Sequence, residues 1–425
     1  MAERLVYFTV PSGQLPVMPV VVDTDPRSIE LKQNGPFDLY QGVADVTSSG
    51  HILVNRVDNM MLVGGAATPI SQSDGPGARD GIYMIKNKDT VLAKFTWESE
   101  FGRERPVLLC DYGLPQYISS HFEFWMLSRR PPNYRRNISE ILSALGLNTA
   151  RSILDVSMGL SLNDCLWISA DPSLSWADVN LFDNEFDETI ARVAFTGENV
   201  TFKFGSPSPE FNTDGVLSKC WVREGNSIFL KKTESGRALT LYAEVLADQV
   251  LEYLHIPHAH YTLGRYHDHL CCSSELFTTQ DTMMVHSNVY FDFDTVDQML
   301  SLFKEHGLLQ SYADMLLADY LMRNQDRHPG NIGVLLDSET FELKGLAPLY
   351  DNGQSFFFND NPALYESWDS ALQTLIQISS DINVSLSKFY FDTSRVPGLD
   401  SDYIDRAYNV MASAEAELKR RLRMR

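Results

Sequence analysis

Cysteine is scarce: the 425 residues include five, Cys110, Cys165, Cys220 and the adjacent Cys271 and Cys272. An odd number with neither zinc-site nor disulfide-framework spacing excludes a disulfide-stapled secreted scaffold, and points to a reducing compartment with all five in the core. No run of about 18 apolar residues occurs, which excludes a helical membrane span. Met1-Ala2-Glu3-Arg4 followed by Leu5 to Val10 is too short and too poorly organised for a signal peptide, so a cytoplasmic protein with no membrane partner is expected. Basic side chains are also short, 35 Lys plus Arg against 56 acids for a net charge of −21. That balance repels phosphate backbones, so no direct nucleic-acid binding is expected and a basic partner would be needed to reach DNA. Asp171 to Glu188 holds six acids among apolar residues, a docking face for such a partner or an ordinary acidic surface. The apolar content, 44%, is that of a globular chain, and the length allows two or three domains.

Against these absences stands one dense segment, Asn324-Gln325-Asp326-Arg327-His328-Pro329-Gly330-Asn331, with Tyr350-Asp351-Asn352-Gly353 following. Ile332 to Leu336 has the pattern of a strand, Asp337 to Thr340 is rich in turn formers, and Phe341 to Leu346 can return antiparallel. Asn331 and Asp351 then flank a hairpin and meet at its open end. An amide oxygen beside a carboxylate makes a hard-oxygen site for Mg²⁺, completed by nucleotide phosphates and water. Asp326, five residues before the amide, has the spacing of a protein-kinase catalytic loop, where the acid accepts or orients the substrate hydroxyl. The plainer reading is a helix ending in a polar turn, and the conjunction of Asp326, Asn331 and Asp351 argues against it.

Phosphoryl transfer also needs a phosphate-binding lysine upstream, steadied by a helical glutamate. Ser227 to Lys232 has the pattern of a strand. Leu239 to Leu254 repeats Tyr242, Leu246, Val250 and Tyr253 at helical spacing. Glu244 lies at the margin of that apolar face, and Lys231 is its expected partner. Lys232 then points to the opposite face and is solvated; a register shifted by one residue would exchange the two. Asp248 is the competing acid. Between a proline-rich stretch, Ser206 to Pro209, and a strand at Cys220 to Arg223, Asn212 to Lys219 offers Gly215 and Lys219 to close over phosphates, although one glycine beside an aspartate is more often only a turn.

These segments, with Leu160 to Trp167, Asp178 to Phe182 and Ala347 to Asp351, resemble the HipA-like serine/threonine kinases of bacterial toxin–antitoxin systems and their phage and plasmid relatives. The similarity spans residues 135–411. It implies Lys231 on the nucleotide phosphates of ATP, Asp326 as catalytic acid/base, Asn331 and Asp351 on Mg²⁺, a protein substrate and a basic antitoxin-like partner. It also implies autophosphorylation near the phosphate loop, for which Ser208 is the preferred hydroxyl.

The expected fold is α+β: a two-lobed protein-kinase-like arrangement, with a mixed N-lobe over residues 131–285 and a helical C-lobe over 286–425, behind a β-rich module at 1–130. That module is read from short apolar runs at Val17 to Val22, Ile52 to Val54, Gly81 to Met84 and Val107 to Cys110, with Gly64 to Gly81 the most loop-like stretch. Helices are expected at Ile138 to Leu145, Ala150 to Ser157, Asp294 to Leu309, Ser311 to Asn324, Pro362 to Ser379 and Asp402 to Arg425. His258, His260, His267 and His269 fit no zinc template by spacing and are expected to lie across strands or on the surface. His328 is expected to order the catalytic loop. Two other classes fit the same motifs: a pseudokinase that binds and regulates without turnover, and a kinase for a lipid or small molecule.

Overall fold

In the computed structural model the described residues are 81–423, except 101–102, 132–136, 138–141, 143–144, 146, 148, 199–207, 214–216, 294, 357–362, 380–381 and 383, together with the backbone of four N-terminal strands. The chain mixes helix and sheet. Those strands, β1 (Arg4–Pro11), β2 (Val20–Val22), β3 (Phe37–Val46) and β4 (Ile52–Arg56), form one antiparallel sheet in the order β1-β3-β4-β2. The expected loop at Gly64 to Gly81 lies outside the described residues apart from its last position.

A second sheet runs β7-β6-β5-β8, from β5 (Ile82–Asn87), β6 (Thr90–Glu100), β7 (Arg103–Asp111) and β8 (Leu166–Ser169). It packs on helices α1 (Gln116–Ser119) and α2 (Phe122–Ser128) through Phe95, Ile85, Trp125, Met126 and Trp167. Full burial of an apolar side chain such as Phe95 contributes roughly 1.5–3 kcal/mol. The boundary expected near residue 130 would cut this unit: β8 pairs with β5, Met84 opposite Ser169, so residues on both sides share one sheet and one core. Turn-rich composition marks loops but says nothing about a strand partner eighty residues away. Cys110 corrects a second expectation: it is exposed, because β7 is an edge strand and turns that side chain outward, whereas the other four cysteines are buried.

The third sheet, β11-β12-β10-β9, comprises β9 (Ser218–Glu224), β10 (Ser227–Thr233), β11 (Tyr261–Tyr266) and β12 (His269–Glu275). One face takes helix α5 (Glu188–Thr196), through Ala191 and Phe195 against Cys220 and Cys271. Between these regions lie α3 (Ala150–Ser157), capped by Thr149, and α4 (Trp176–Val179). Helix α6 (Leu239–Leu254) forms with its expected bounds, and every residue from Leu241 to Leu251 is buried.

The last sheet, β13 (Thr282–His286), β14 (Gly333–Asp337) and β15 (Leu343–Leu346), contains the expected hairpin. Its β13 strand spans the boundary expected at 285, with Val285 paired to Val334. Val334, Leu336 and Met283 belong to the core around Phe95 and Trp167, while Ile332 and Leu349, just outside the hairpin, belong to the core around α6. The hairpin thus lies between two cores and presents its open end where they meet. Short α7 (Ser287–Phe291) precedes α8 (Val296–Glu305), α9 (Leu309–Met322), α10 (Ala363–Ile378) and α11 (Ser401–Arg423). No helix among the described residues is long and apolar enough to cross a membrane.

Candidate active site

Helix α9 delivers the first segment. Its C-terminal half is buried and ends at Arg323 in the left-handed region, which turns the chain sharply into Asn324 to Asn331. Asp319, on the last turn, accepts two bonds from Arg327, at 2.9 and 3.0 Å, and one from Asn324 Nδ2 at 3.0 Å. Arg327 also donates to the carbonyls of Asn331 (3.0 Å) and Tyr350 (2.9 Å) and to Asn352 Oδ1 (2.6 Å). One guanidinium therefore fastens the segment Asn324 to Asn331 to the segment of Asp351. Against the cost of burial, Asp319 raises the Arg327 pKa and keeps it charged. Local sequence pattern assigns this arginine no role, since its partners lie on three separate segments.

Asp326 is exposed at the loop's apex; partial burial and the charge of Asp351 push its carboxyl above the usual carboxylate range, while His328 and Arg327 pull the other way. The Asn331 side-chain amide donates to the Asp326 carbonyl at 2.9 Å, which leaves its own oxygen as an acceptor. His328 caps the short turn Pro329–Asn331 by accepting from the Gly330 N–H at 3.1 Å, an ordering contact as expected.

Asp351 has a left-handed backbone, φ 57°, rare for a residue with a side chain and a form of strain that concentrates at functional sites. Gly353 is required sterically: a Cβ there would lie 2.4 Å from Thr240 Cγ2. The close approach brings the Asn352 N–H to Glu244 Oε2 at 2.8 Å.

The lysine expected to meet Glu244 is not the one that does. Lys232 Nζ lies 2.9 Å from Glu244 Oε1, 2.9 Å from Asp351 Oδ1 and 3.4 Å from the Tyr261 hydroxyl. Lys231 points to the opposite face, where it pairs with Glu224 at 2.7 Å. The strand begins in the expected place, but α6 covers the other face, so period-two alternation exchanges the two lysines; Lys232 is buried rather than solvated. Burial alone would discharge Lys232, yet Asp351 and Glu244 hold its ammonium charged well above the ordinary lysine value. Lys232 in turn drives the Asp351 carboxyl far below its usual range, with Lys219 and Arg327 adding to the effect. Burial pushes Glu244 upward, opposed chiefly by Lys232.

Lys219 stands directly across from Lys232 on the same sheet face and acts electrostatically on Asp351. Gly215 lies outside the described residues. Ser208 is buried and accepts from the Glu210 N–H at 3.3 Å, so as a phosphate acceptor it would first have to leave this cap. Asp248, the competing acid, faces away from Lys232, binds Arg395 and the Tyr261 N–H, and lies 3.2 Å from His258 Nε2.

The chain matches no family model and no curated protein. Among solved structures it is similar to the Helicobacter pylori proinflammatory kinase CtkA, at 16% identity, 47% of this chain, 88% of that chain and a TM-score of 0.38. It is also similar to HipA of the Shewanella oneidensis MR-1 toxin–antitoxin system, solved with HipB and its operator DNA, at 12% identity, 80% of this chain, 97% of that chain and a TM-score of 0.48.

Proposed function

We propose that the chain is a HipA-like kinase that transfers the γ-phosphate of ATP to a serine or threonine hydroxyl of a protein target. One observation carries the reading: a buried Lys232–Glu244 pair meets the Asp351 carboxylate at 2.9 Å, while Arg327 ties the Asp351 segment to the loop of Asp326 and Asn331. Lys232, kept charged and held in place by Glu244, is the phosphate-binding lysine in place of Lys231, which faces Glu224. Asp326, with its raised carboxyl, accepts the proton that the target hydroxyl gives up as its oxygen bonds to phosphorus and ADP leaves.

The donor set suits Mg²⁺, since the Asn331 amide oxygen is left over by the bond to Asp326 and the Asp351 side chain is 42% exposed toward solvent. Those two residues would hold the ion, which when bound supplies positive charge to the phosphate oxygens. Lys219, across the strand pair from Lys232, and Gly215 on the preceding loop are the further nucleotide contacts.

The partner is proposed to be a basic antitoxin-like protein, in a toxin or phage-related setting and a cytoplasmic location. Four carboxylates of the acidic stretch are already engaged, Asp171 by Ser173, Asp178 by Ser175, Asp187 by the N–H groups of Thr189 and Ile190, and Asp183 by Gln280, which leaves Glu185 and Glu188 for docking. The test is incubation with γ-labelled ATP, Mg²⁺ and a host lysate. Label on protein Ser or Thr, absent with Asp326→Ala, supports the reading. Label in a lipid or small-molecule fraction reassigns the substrate, and nucleotide binding with no transfer makes the chain a pseudokinase.

A further inference from the structure

We propose that Asp248, His258 and His260 form a second metal site, for a borderline-soft divalent cation of the zinc class, on the side of α6 away from the nucleotide lysine. This is the group of metal-capable side chains found among the described residues, with one ligand atom of each within 4.8 Å of the others. The histidines project from the segment between α6 and β11, and Asp248 lies one helical turn beyond Glu244.

The geometry around His258 carries the argument. Its Nδ1 is 2.7 Å from the Ile256 carbonyl, which can only accept, so the proton sits on Nδ1. The ring is 4% exposed and its Nε2 has no hydrogen-bond partner, although it is aimed at Asp248 Oδ1 from 3.2 Å. With Nδ1 directed at that carbonyl, the ring turns Nε2 toward a carboxylate oxygen, and a positive charge, a proton or a metal ion, must lie between them. A backbone carbonyl on the remote nitrogen is the usual support of a metal-bound imidazole.

His260 supplies the second ring. Its Nδ1 is 3.3 Å from the same Asp248 oxygen, and the ring centroids are 4.4 Å apart. A single metal ion could be shared by both ring nitrogens and the Asp248 oxygen that they approach. Ligand atoms bonded at the usual zinc distances stand about 3.3–3.4 Å apart along the edge of a tetrahedron. The observed 3.2 and 3.3 Å match that edge and exceed the usual length of a charge-assisted hydrogen bond. Other charges face the cluster: Arg395 binds the second Asp248 oxygen, and Glu252 lies 3.6 Å from His260 Nδ1 and 2.7 Å from Arg395. The two acids outweigh the one arginine, so the site keeps net negative charge for the ion, and Glu252 or water can complete the shell.

A metal here would pin the end of α6 to the 257–261 segment. That segment bonds back to the Asp351 strand through Ala259 N to Leu349 O (2.8 Å) and Leu349 N to Pro257 O (2.9 Å). The site is therefore structural or regulatory for the proposed catalytic centre, but its existence does not depend on that centre.

The test uses the full chain, stripped with chelator and titrated with Zn²⁺ and with Co²⁺ as a spectroscopic probe. One tightly held ion per chain, with the visible absorption of tetrahedral Co²⁺ and a raised melting temperature, is expected. His260→Ala, at an exposed position and so compatible with folding, should weaken binding at least about tenfold, and His258→Gln should do the same. His267→Ala, on the exposed β11–β12 turn, should bind as the parent does. Absence of stoichiometric binding by the parent, or equal binding by the His260→Ala variant, overturns the proposal, and so does an NMR finding that both nitrogens of His258 stay protonated in the presence of Zn²⁺.

Discussion

Arg327 and Asp319 form a two-bond ion pair, at 2.9 and 3.0 Å, with both side chains more than nine-tenths buried. The helix that carries Asp319 thereby fixes the loop that carries Asp326, and the remaining donors of Arg327 reach the Asp351 segment.

Arg327→Met should therefore cost about 3–5 kcal/mol in urea unfolding, the range for leaving a buried partner charge uncompensated. Arg327→Lys should recover little, since an ammonium cannot copy the planar fork. Adding Asp319→Leu to Arg327→Met should restore part of the loss, because the orphaned carboxylate is gone; no recovery in the double variant would show that the contacts to Asn331, Tyr350 and Asn352 dominate instead.

Lys232→Met should lower phosphoryl transfer strongly, and Glu244→Gln should give a milder defect, since the glutamate positions the lysine. Lys231→Met, which removes the pairing with Glu224 and the contacts to Ser273, Phe229 and Tyr266 on the far face, should leave the rate near that of the parent. Steady-state turnover of the three purified variants decides the matter, and a dead Lys231→Met beside an active Lys232→Met would reverse the assignment.

How far this site was legible in sequence is shown by these two lysines. Strand, helix, hairpin and the acid–amide–acid spacing all follow from local pattern, and they form where expected, α6 with its expected bounds. Which face of β10 meets α6 is a tertiary fact: both faces are buried, one by α5 and one by α6, so hydrophobicity does not separate Lys231 from Lys232. The same limit hid Arg327, whose partners lie on three separate segments, and the pairing of β8 with β5. Asp319 carried one signal, an acid inside an otherwise apolar helix, and a search for its counter-charge one turn past the helix would have found Arg327.

Asp326→Ala should leave ATP binding largely intact while slowing transfer by roughly 10²–10⁴, the range for loss of a general base. Asp351→Ala should instead abolish Mg²⁺-dependent turnover, because Asn331 alone offers no charge to hold the ion. Calorimetric nucleotide titration beside single-turnover kinetics separates the two; a variant of Asp326 that fails to bind ATP would make that residue structural.

Gly353→Ala places a methyl 2.4 Å from Thr240 Cγ2 and should destabilise the fold by about 1–3 kcal/mol, as overpacking does. Thr240→Ser deletes that methyl and keeps the hydroxyl that bonds Glu234, so the double variant should be more stable than Gly353→Ala alone. Additive losses in the cycle would mean that the clash with the Thr240 carbonyl, 3.3 Å away, governs instead.

The carboxylates of Asp351 and Asp326 should respond to acid with opposite signs. Lys232 holds the Asp351 carboxyl below its unfolded value, so this group contributes stability that is complete above the ordinary carboxylate pKa of about 3.9 and is lost as pH falls through the lower folded value. Asp326 is displaced upward by burial, so its contribution is present below that ordinary value and disappears as pH rises through the folded one. Melting curves of the nucleotide-free protein at pH 2 to 7 should therefore show the gap between parent and Asp351→Asn closing toward the acid end. For Asp326→Asn, melting relative to the parent should improve as pH rises past about 4. A gap for Asp351→Asn that stays constant over the acid range would mean that the Lys232 contact does not distinguish the folded carboxylate from the unfolded one, and would remove the electrostatic basis for placing that aspartate at the centre of the site.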